Sequence, residues 1–395
     1  FPTRRSSDLN GTSNGFIIAK VADMDGDGKL DIIGVSNADN FIRVYINNST
    51  QGTISFSSQK TFFIATTSGA LNNLEVADFD NDGKPDMVIV DGWGTSASMF
   101  RNTSTGTGTA NLTFATPVSV PGLATGENIN STYAGDVDGD GKMDLVISYC
   151  TVSAPTIIAV LKNQSTAGTF SFAAPVNLVH GTSSVQCGRL LKFADINGDG
   201  KLDILSINNQ DNSLHYFINT TTASISFAAY QSIATIDNAQ SFDMGDVNGD
   251  GKIDMVIQNA TNYSGIQGND QMLMANSTTA GNVSFIRSDI QQNLNSTTGS
   301  PNNYWRINLG DLDGDGKMDL YIASSNYPTS KSFAIRYNQQ PTSVTVTGTL
   351  TAFTGCSGTA SASQSFIVSG STLTANLVVT APTGYEVSTT AGSGY

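Results

Sequence analysis

The chain has 395 residues, of which only 13% are charged, and a formal net charge of −14. No apolar run is long enough to span a bilayer, so the sequence predicts no transmembrane segment. Basic residues are not clustered, which argues against nucleic acid as a ligand. Turns rich in Thr, Ser, Asn and Gly favour an extracellular protein, either secreted or on the cell surface.

The first nine residues, FPTRRSSDL, resemble the translation of a common sequencing-library adapter. We therefore exclude residues 1–9 from the fold and begin the first domain at residue 10. A signal peptide and any earlier repeat would lie upstream of that junction.

From Asp23 onward, the pattern Asp-x-[Asp/Asn]-x-Asp-Gly-Lys-x-Asp occurs six times at intervals of 51 to 65 residues. Positions 1, 3, 5 and 9 carry oxygen side chains, and Gly at position 6 lets the backbone turn. Lys at position 7 is expected to offer its backbone carbonyl while its side chain points into water. Ca²⁺ prefers such a flexible set of oxygen ligands. The sequence therefore predicts about six calcium sites, one in each loop.

The predicted ligands, taken loop by loop, are Asp23, Asp25, Asp27, Lys29, Asp31; Asp78, Asp80, Asp82, Lys84, Asp86; Asp136, Asp138, Asp140, Lys142, Asp144; Asp195, Asn197, Asp199, Lys201, Asp203; Asp246, Asn248, Asp250, Lys252, Asp254; and Asp311, Asp313, Asp315, Lys317, Asp319. Asn197 and Asn248 replace Asp at position 3, so we expect their loops to bind calcium more weakly. Replacing Asp136, Asp138 or Asp140 by Ala should accordingly cost more than the same change at Asn197.

The segments around the loops read as strands, and position 12 is never Glu, so these are not EF-hands. A short, nearly unbroken apolar run follows each loop and predicts a strand covered on both faces. A further strand ends in Asn, which suits left-handed backbone and Asx-turn geometry. In five repeats a turn then leads to a strand with a Phe that should pack between neighbouring sheets. These residues are Asn47, Asn102, Asn163, Asn219, Asn276 and Asn338, and Phe56, Phe114, Phe172, Phe227 and Phe285.

With the strand that enters each loop, the repeat has four antiparallel strands, and that is the unit of a β-propeller blade. The strand ending in Ala-Asp or a variant, the loop, the apolar strand and the hairpin before Phe resemble FG-GAP repeats. They are most similar to the VCBS branch found in bacterial secreted and surface proteins. The resemblance covers roughly residues 15–340 and implies calcium on the face with the loops, and ligand contacts on the opposite face.

Related repeats form the seven-bladed propeller of integrin alpha chains, so the resemblance implies seven blades in the intact protein. Only six loops are visible, and the sixth repeat passes from Asn338 to Pro341 without a fourth strand. We therefore expect at least one further outer strand upstream of residue 10, and by resemblance a whole seventh blade.

After Asn338 the composition changes to Thr, Ser, Val and Ala with alternating polar and apolar residues. We interpret residues 10–340 as the propeller and residues 341–395 as a truncated immunoglobulin-like β-sandwich. About 55 residues fall short of the roughly 100 that a full sandwich needs. The predicted fold class is thus all-β, a propeller followed by part of a sandwich.

The acidity of the chain is mainly ligand charge, because the six loops contain 22 of the 33 acidic residues. Six bound Ca²⁺ ions would bring the net charge from −14 to about −2. The net charge therefore says little about partners.

Signals of an enzyme are poor, and we predict no catalytic residues. We place His215 in a strand and His180 in the connection between the third and fourth blades, and we interpret both as surface or structural. No serine-hydrolase, zinc-protease or phosphate-loop motif is present. A bridge between Cys150 and Cys187 is possible, but free buried thiols are favoured.

The favoured function is a non-enzymatic binding or adhesion module whose ligand is an extracellular glycan or protein. The alternatives are a calcium-stiffened spacer and an accessory propeller of a secreted polysaccharide-degrading enzyme. Trp93, flanked by glycines, and Tyr263, in the loop of residues 259–270, are the candidate ligand contacts. A loop Trp folded over a blade edge is an equal alternative for Trp93, and Trp305 is interpreted as core.

Overall fold

The computed structural model describes residues 18–35, 40–50, 53, 55–57, 59–64, 71–91, 96–121, 123, 128–150, 156–180, 190–208, 213–234, 239–259, 270–275, 283–290, 306–310, 318–326, 330–336, 343–348, 351, 362, 364–371, 378–380 and 387–388. All regular secondary structure in these residues is β-strand, and no helix there is long and apolar enough to cross a membrane. The chain divides into two compact units, Phe1–Arg336 and Tyr337–Tyr395.

The strands of the first unit are β1 (Ile18–Ala22), β2 (Asp31–Val35), β3 (Phe41–Tyr45), β4 (Lys60–Phe63), β5 (Leu71–Ala77), β6 (Asp86–Asp91), β7 (Ala97–Phe100), β8 (Val118–Ser119), β9 (Asn128–Gly135), β10 (Asp144–Cys150), β11 (Thr156–Leu161), β12 (Val176–His180), β13 (Leu191–Ala194), β14 (Asp203–Asn208), β15 (Ser213–Phe217), β16 (Gln231–Ala234), β17 (Ala239–Gly245), β18 (Asp254–Asn259), β19 (Asp270–Ala275), β20 (Phe285–Ile290), β21 (Arg306–Gly310), β22 (Asp319–Asn326) and β23 (Ser330–Arg336). The second unit contains β24 (Ser343–Thr347) and β25 (Ile367–Ser371), which pair antiparallel.

Five consecutive groups of four strands form antiparallel sheets, β1–β4, β5–β8, β9–β12, β13–β16 and β17–β20. A sixth sheet has the three strands β21–β23. We number these sheets one to six in chain order. The all-β class and the four-stranded antiparallel repeat are confirmed, and the sixth repeat has three strands among the described residues.

The hydrophobic core lies between consecutive sheets rather than within any one of them. In β10, Leu145 and Ile147 pack in a cluster with sheet two, whereas Val146 between them packs in a cluster with sheet four. Alternate side chains of a strand point to opposite faces, so both faces of this strand are covered by a neighbouring sheet. The prediction that the strand after each loop is covered on both faces is confirmed for the third sheet.

The outer strand of the sheets contains one more residue than its partner. Val44 of β3 pairs with Lys60 of β4, and three residues further along, Asn47 pairs with Phe56, four residues before Lys60. This one-residue difference is a β-bulge, and it recurs in sheets two, three and four. The prediction that the Phe lies in the fourth strand is therefore wrong for Phe56, Phe114, Phe172 and Phe227, which form isolated bridges before that strand.

The packing role of the Phe residues is nevertheless confirmed in four sheets. Phe172 belongs to the cluster between sheets two and three, and Phe227 packs against the cluster between sheets three and four. Phe114 and Phe285 pack in the corresponding clusters of sheets two and five, and Phe285 begins β20 as predicted. Each of them fills space between its own sheet and the preceding one.

The first strands of the sheets converge at a group of polar side chains that the sequence analysis did not single out. Each stands three residues before the first Asp of its loop, and we call Lys20, Glu75, Tyr133, Lys192 and Asp243 the polar hub. Lys20 Nζ lies 2.9 Å from Glu75 Oε2 and 5.2 Å from the centroid of the Tyr133 ring. Lys192 pairs with Asp243. The contact between Lys20 of sheet one and Tyr133 of sheet three brings the first strands of these two sheets close together.

Candidate metal centres

The acidic loops and the hairpins ending in Phe lie at the same edge of the sheets, which we call the loop edge. Consecutive strands of each sheet are antiparallel, so the connections between strands 1 and 2 and between strands 3 and 4 share one edge. The structure describes the first five loops. In the sixth, Asp311, Asp313, Asp315 and Lys317 lie outside the described residues, and Asp319 is buried at the start of β22.

The Asp at position 1 organises the loop by accepting hydrogen bonds from the loop backbone. Asp23 Oδ1 accepts from the N–H groups of Gly26 and Asp27 at 2.8 and 3.0 Å. Asp23 Oδ2 accepts from Gly28 N–H at 2.8 Å. Asp136, Asp195 and Asp246 accept the same three bonds in their loops. These bonds wrap the chain around the carboxylate.

The wrapped loop needs left-handed backbone at two positions. Gly28 at position 6 has φ 86°, as the sequence predicted, but Gly26 at position 4 also has φ 77°. In the second loop Asn81 takes position 4 with φ 57°, and Asn tolerates this region better than most residues. The sequence analysis did not consider position 4, although the recurrence of Gly or Asn there was a signal that could have indicated this second requirement.

Carboxylate oxygens converge in three of the described loops. One oxygen from each of three acidic residues lies within 4.8 Å of the others in the groups Asp23, Asp25, Asp27; Asp78, Asp80, Asp86; and Asp136, Asp138, Asp144. In the third group Asp138 Oδ1 is buried and has no hydrogen-bond partner among the described residues. Clustered hard oxygens with unused lone pairs fit a calcium ion.

The loops with Asn at position 3 keep the same internal bond. Asn197 Oδ1 accepts from Asp199 N–H at 2.9 Å and Asn248 Oδ1 from Asp250 N–H at 2.8 Å. Asp25 Oδ1 accepts the equivalent bond from Asp27 N–H at 3.2 Å. An amide oxygen therefore replaces a carboxylate without changing this hydrogen bond, although it removes a negative charge from the loop.

The Asp at position 9 has a structural role in addition to any role as a ligand. Asp86 is fully buried, and its two carboxylate oxygens accept from the N–H groups of Phe79 and Asn102 at 3.0 and 2.8 Å. Asp144 makes the equivalent two bonds. Burial raises the pKa of Asp86 and of Asp144 to about 7. A cation bound beside these carboxyls would oppose that shift by favouring their ionised form.

The Lys side chains at position 7 do not all point into water as the sequence analysis assumed. Lys142 Nζ donates to Ser165 O at 2.8 Å, and Lys201 Nζ donates to Thr221 O at 2.7 Å. Both acceptors lie in the hairpin of the same sheet. Lys29 instead pairs with Asp27 at 3.3 Å. The hydrogen bonds from Lys142 and Lys201 to hairpin carbonyls link each loop to the hairpin of its own sheet.

In sheets two, three and four the hairpin Asn connects the sheet to the one before it. Asn163 Nδ2 donates to Phe79 O in the loop of sheet two at 2.8 Å and to Met143 O in its own loop at 2.9 Å. Asn102 and Asn219 make the equivalent bonds to Met24 O and Val137 O. We call these bonds the Asn bridges.

The Asn residues form the predicted Asx-turns without the predicted left-handed backbone. Asn163 Oδ1 accepts from Ser165 N–H at 2.8 Å, and Asn102 Oδ1 accepts from Ser104 N–H at 3.0 Å. Among the described residues other than Gly, only Asn81 has a positive φ. The expectation of left-handed backbone is therefore wrong for the four described hairpin Asn residues, because the side chain makes the turn with the backbone in the ordinary region.

The candidate ligand contacts, Trp93 and Tyr263, lie outside the described residues, as do Trp305 and Cys187. Cys150 is the last residue of β10. His180 is the last residue of β12 rather than part of the following connection. His215 is buried in β15, and its ring stacks on Tyr230 with centroids 4.6 Å apart, which agrees with a structural role.

A family model described as the FG-GAP-like repeat matches residues 23–89, 78–147 and 195–257. The chain therefore contains FG-GAP-like repeats, as the sequence predicted. No curated protein matches the chain in sequence.

The solved structures that are similar to this chain include two at 12% identity. One is a functionally unknown protein from Desulfotomaculum acetoxidans, 12% identical, with a TM-score of 0.41 over 69% of this chain and 68% of that chain. The other is a chain of a Tc holotoxin pore from Photorhabdus luminescens, 12% identical, with a TM-score of 0.31 over 78% of this chain and 17% of that chain. With TM-scores below 0.5, neither likeness supports an inference about this chain.

Proposed function

We propose that the chain is a calcium-stabilised β-propeller of the VCBS type, part of a bacterial secreted or surface protein, that binds an extracellular glycan or protein without catalysis. Each of the six loops would hold one Ca²⁺ through the side chains at positions 1, 3, 5 and 9 and the carbonyl at position 7. The observation that carries the proposal is the convergence of three carboxylate groups in each of three loops.

In this proposal calcium stabilises the folded protein. Carboxylates held within 4.8 Å of one another repel without a cation, so the free energy of metal binding adds to the free energy of folding. The Asn bridges and the loops share the loop edge, so a rigid loop would also support the contact between sheets. Extracellular calcium at millimolar levels would occupy even weak loops.

The first test is calcium titration by calorimetry together with thermal melting in calcium and in EGTA. We expect about six ions per chain and a melting temperature that falls by many degrees on chelation. Magnesium at the same concentration is the control, because it tolerates irregular oxygen cages poorly. An unchanged melting temperature in EGTA would contradict the proposal.

The ligand would bind at the edge opposite the loop edge. The connections between strands 2 and 3 lie there and differ in length, from three residues at 327–329 to ten at 260–269. Variable loops on a rigid scaffold are where recognition usually occurs. Trp93 and Tyr263 stand in these connections and are the proposed contacts.

A glycan array and a surface-binding assay test this assignment. Trp93→Ala and a shortened 259–270 loop should each weaken binding, whereas a changed hairpin turn at 104–109 on the loop edge is the matched control and should not. Binding that survives the first two changes and is lost with the third would reverse the assignment. A calcium-stabilised protein that binds no glycan or protein would instead be a spacer.

A further inference from the structure

The third loop differs from the other described loops because a Lys next to its hairpin Asn contacts the carboxylates at both position 3 and position 5. In the first and fifth loops the Lys at position 7 approaches only the carboxylate at position 5, from Lys29 to Asp27 at 3.3 Å and from Lys252 to Asp250 at 3.6 Å. Lys162 follows β11 and directly precedes the hairpin Asn163. Its Nζ forms an ion pair with Asp138 Oδ2 and lies 2.9 Å from Asp140 Oδ2. The Asp138 side chain is only 8% exposed, whereas the Lys162 side chain is 34% exposed.

The equivalent position of the other described sheets offers no such pair. Ile46, Ile218 and Ala275 occupy it in sheets one, four and five, and none of these side chains can carry a charge. Arg101 occupies it in sheet two and forms no ion pair with any residue that the structure describes. Among the described loops, the charge on Lys162 therefore acts on the third alone.

The neighbouring hairpin gives an independent reason for this difference. In the first and second loops the carboxylate at position 3 accepts a bond from a Gly of the next sheet, from Gly108 to Asp25 Oδ2 and from Gly168 to Asp80 Oδ2. The hairpin next to the third loop, residues 219–227, is one residue shorter than 163–172 and contains no Gly. Asp138 has no Gly partner there, and Lys162 contacts its Oδ2 instead.

We propose that Lys162 is an internal cation of the third loop, which neutralises Asp138 and Asp140 when calcium is absent and leaves them when calcium binds. This inference rests on the proposed calcium function. Ammonium and Ca²⁺ would compete for the same carboxylate groups, so binding at this loop would be an exchange rather than a simple addition. At low calcium concentration the Lys162 ammonium balances the negative charge of Asp138 and Asp140. The same contacts lower the affinity of the loop for calcium.

The exchange changes the expected order of calcium affinity among the loops. The third loop has Asp at all four side-chain positions, which by charge alone would make it one of the strongest. Calcium must break the contacts of Lys162 with two carboxylates before it binds. The third loop should therefore bind calcium roughly threefold to tenfold more weakly than it would without the lysine. The third loop should therefore bind calcium at higher calcium concentrations than the first and second loops. Removal of calcium by EGTA should destabilise the third loop less than it destabilises those two.

The test compares Lys162→Met with Arg101→Met, which removes one positive charge from the equivalent position of sheet two without breaking an ion pair to a described residue. Calcium titration by calorimetry should show one site of Lys162→Met strengthened by roughly threefold to tenfold, with the same change absent when Asp136→Ala is added. Melting in EGTA should show a larger fall in melting temperature for Lys162→Met than for Arg101→Met. Lys162→Arg, which keeps the charge, should restore the melting temperature in EGTA.

The outcomes separate the two proposals. A wild-type protein that binds no calcium overturns the calcium function and this inference together. A wild-type protein that binds calcium while Lys162→Met and Arg101→Met behave alike, both in the titration and in EGTA, overturns this inference alone.

Discussion

The buried Asp at position 9 shows how one residue serves the loop and the sheet together. Asp86 accepts one backbone bond from Phe79 within the loop and one from Asn102 in the hairpin. Its sequence pattern predicts a metal ligand, but its two bonds tie three segments of the chain into a single unit. Those bonds do not depend on an ion, so the residue should stabilise the protein in the presence and absence of calcium.

We expect Asp86→Ala to lower the free energy of unfolding by about 2 to 5 kcal/mol even in EGTA, because it leaves two buried N–H groups without an acceptor. Asp82→Ala in the same loop is the control, since Asp82 Oδ1 accepts a bond from Lys84 N–H at a more exposed site, and it should cost about 1 kcal/mol. Urea denaturation in EGTA measures both. Equal losses for the two variants would show that Asp86 acts only as a ligand.

At the scale of the elements, the hairpin between strands 3 and 4 is the part that joins one sheet to the next. Its Asn makes an Asx-turn within the hairpin and an Asn bridge to the preceding loop, and the Phe that pairs with it packs between the same two sheets. The turn chemistry follows from local sequence. The bridge depends on which carbonyl the neighbouring sheet presents, so local sequence does not indicate it.

Asn163→Ala should cost about 2 to 4 kcal/mol, because it removes the bridge to Phe79 O and the bond to Met143 O and leaves buried carbonyls unpaired. Asn47→Ala is the matched control. The Nδ2 of Asn47 donates to Leu30 O of its own sheet, so its loss should cost about 1 kcal/mol. Urea denaturation in saturating calcium compares them, and similar losses would argue against a special role for the bridge.

At the scale of the whole molecule, the polar hub links the first strands of five sheets. Glu75 is 7% exposed and Lys20 is its direct partner. Burial raises the pKa of the Glu75 carboxyl above its ordinary value of 4.5 despite the Lys20 ammonium beside it. Burial, with a contribution from the charges of Glu75 and Asp243, likewise raises the pKa of Tyr133 to about 12. The hub therefore holds charged groups in a poorly hydrated place.

The raised pKa of Glu75 has a defined effect on stability. The folded protein binds this proton more tightly than the unfolded chain, so the contribution to stability is complete below a pH of about 4.5 and is lost as the pH rises through the folded pKa. Glu75→Gln removes the titration. We expect the stability of Glu75→Gln relative to wild type to rise between about pH 4 and pH 8.

Urea denaturation of both proteins in the same calcium-containing buffers at each pH measures this difference, and shared effects of the loops cancel in it. A relative stability that stays flat or falls with pH would mean that Lys20 outweighs burial at Glu75. Glu75 would then be ionised in the folded protein throughout this range.

The repeat pattern predicts the six loops, the strand on each side of them and the four-stranded unit. These features arise from contacts within about 60 residues: the turn at Gly28, the alternation of Leu145, Val146 and Ile147 between two covered faces, and the Asx-turn at Asn163. Each is local, so composition and spacing carry the information. The recurrence of Gly or Asn at position 4 was equally visible in the sequence.

Tertiary structure decided the features that join one sheet to another. Asn163 and Phe79 are separated by 84 residues, and Lys20 and Glu75 by 55. Lys162 is 24 residues from Asp138, and the hairpin beside that loop, which belongs to the next sheet, lacks a Gly. The bulge that moves Phe56 out of the fourth strand likewise depends on the pairing register of two strands. These contacts depend on how close the sheets pack and in which register, because both are set by the whole core and not by the spacing of residues along one repeat.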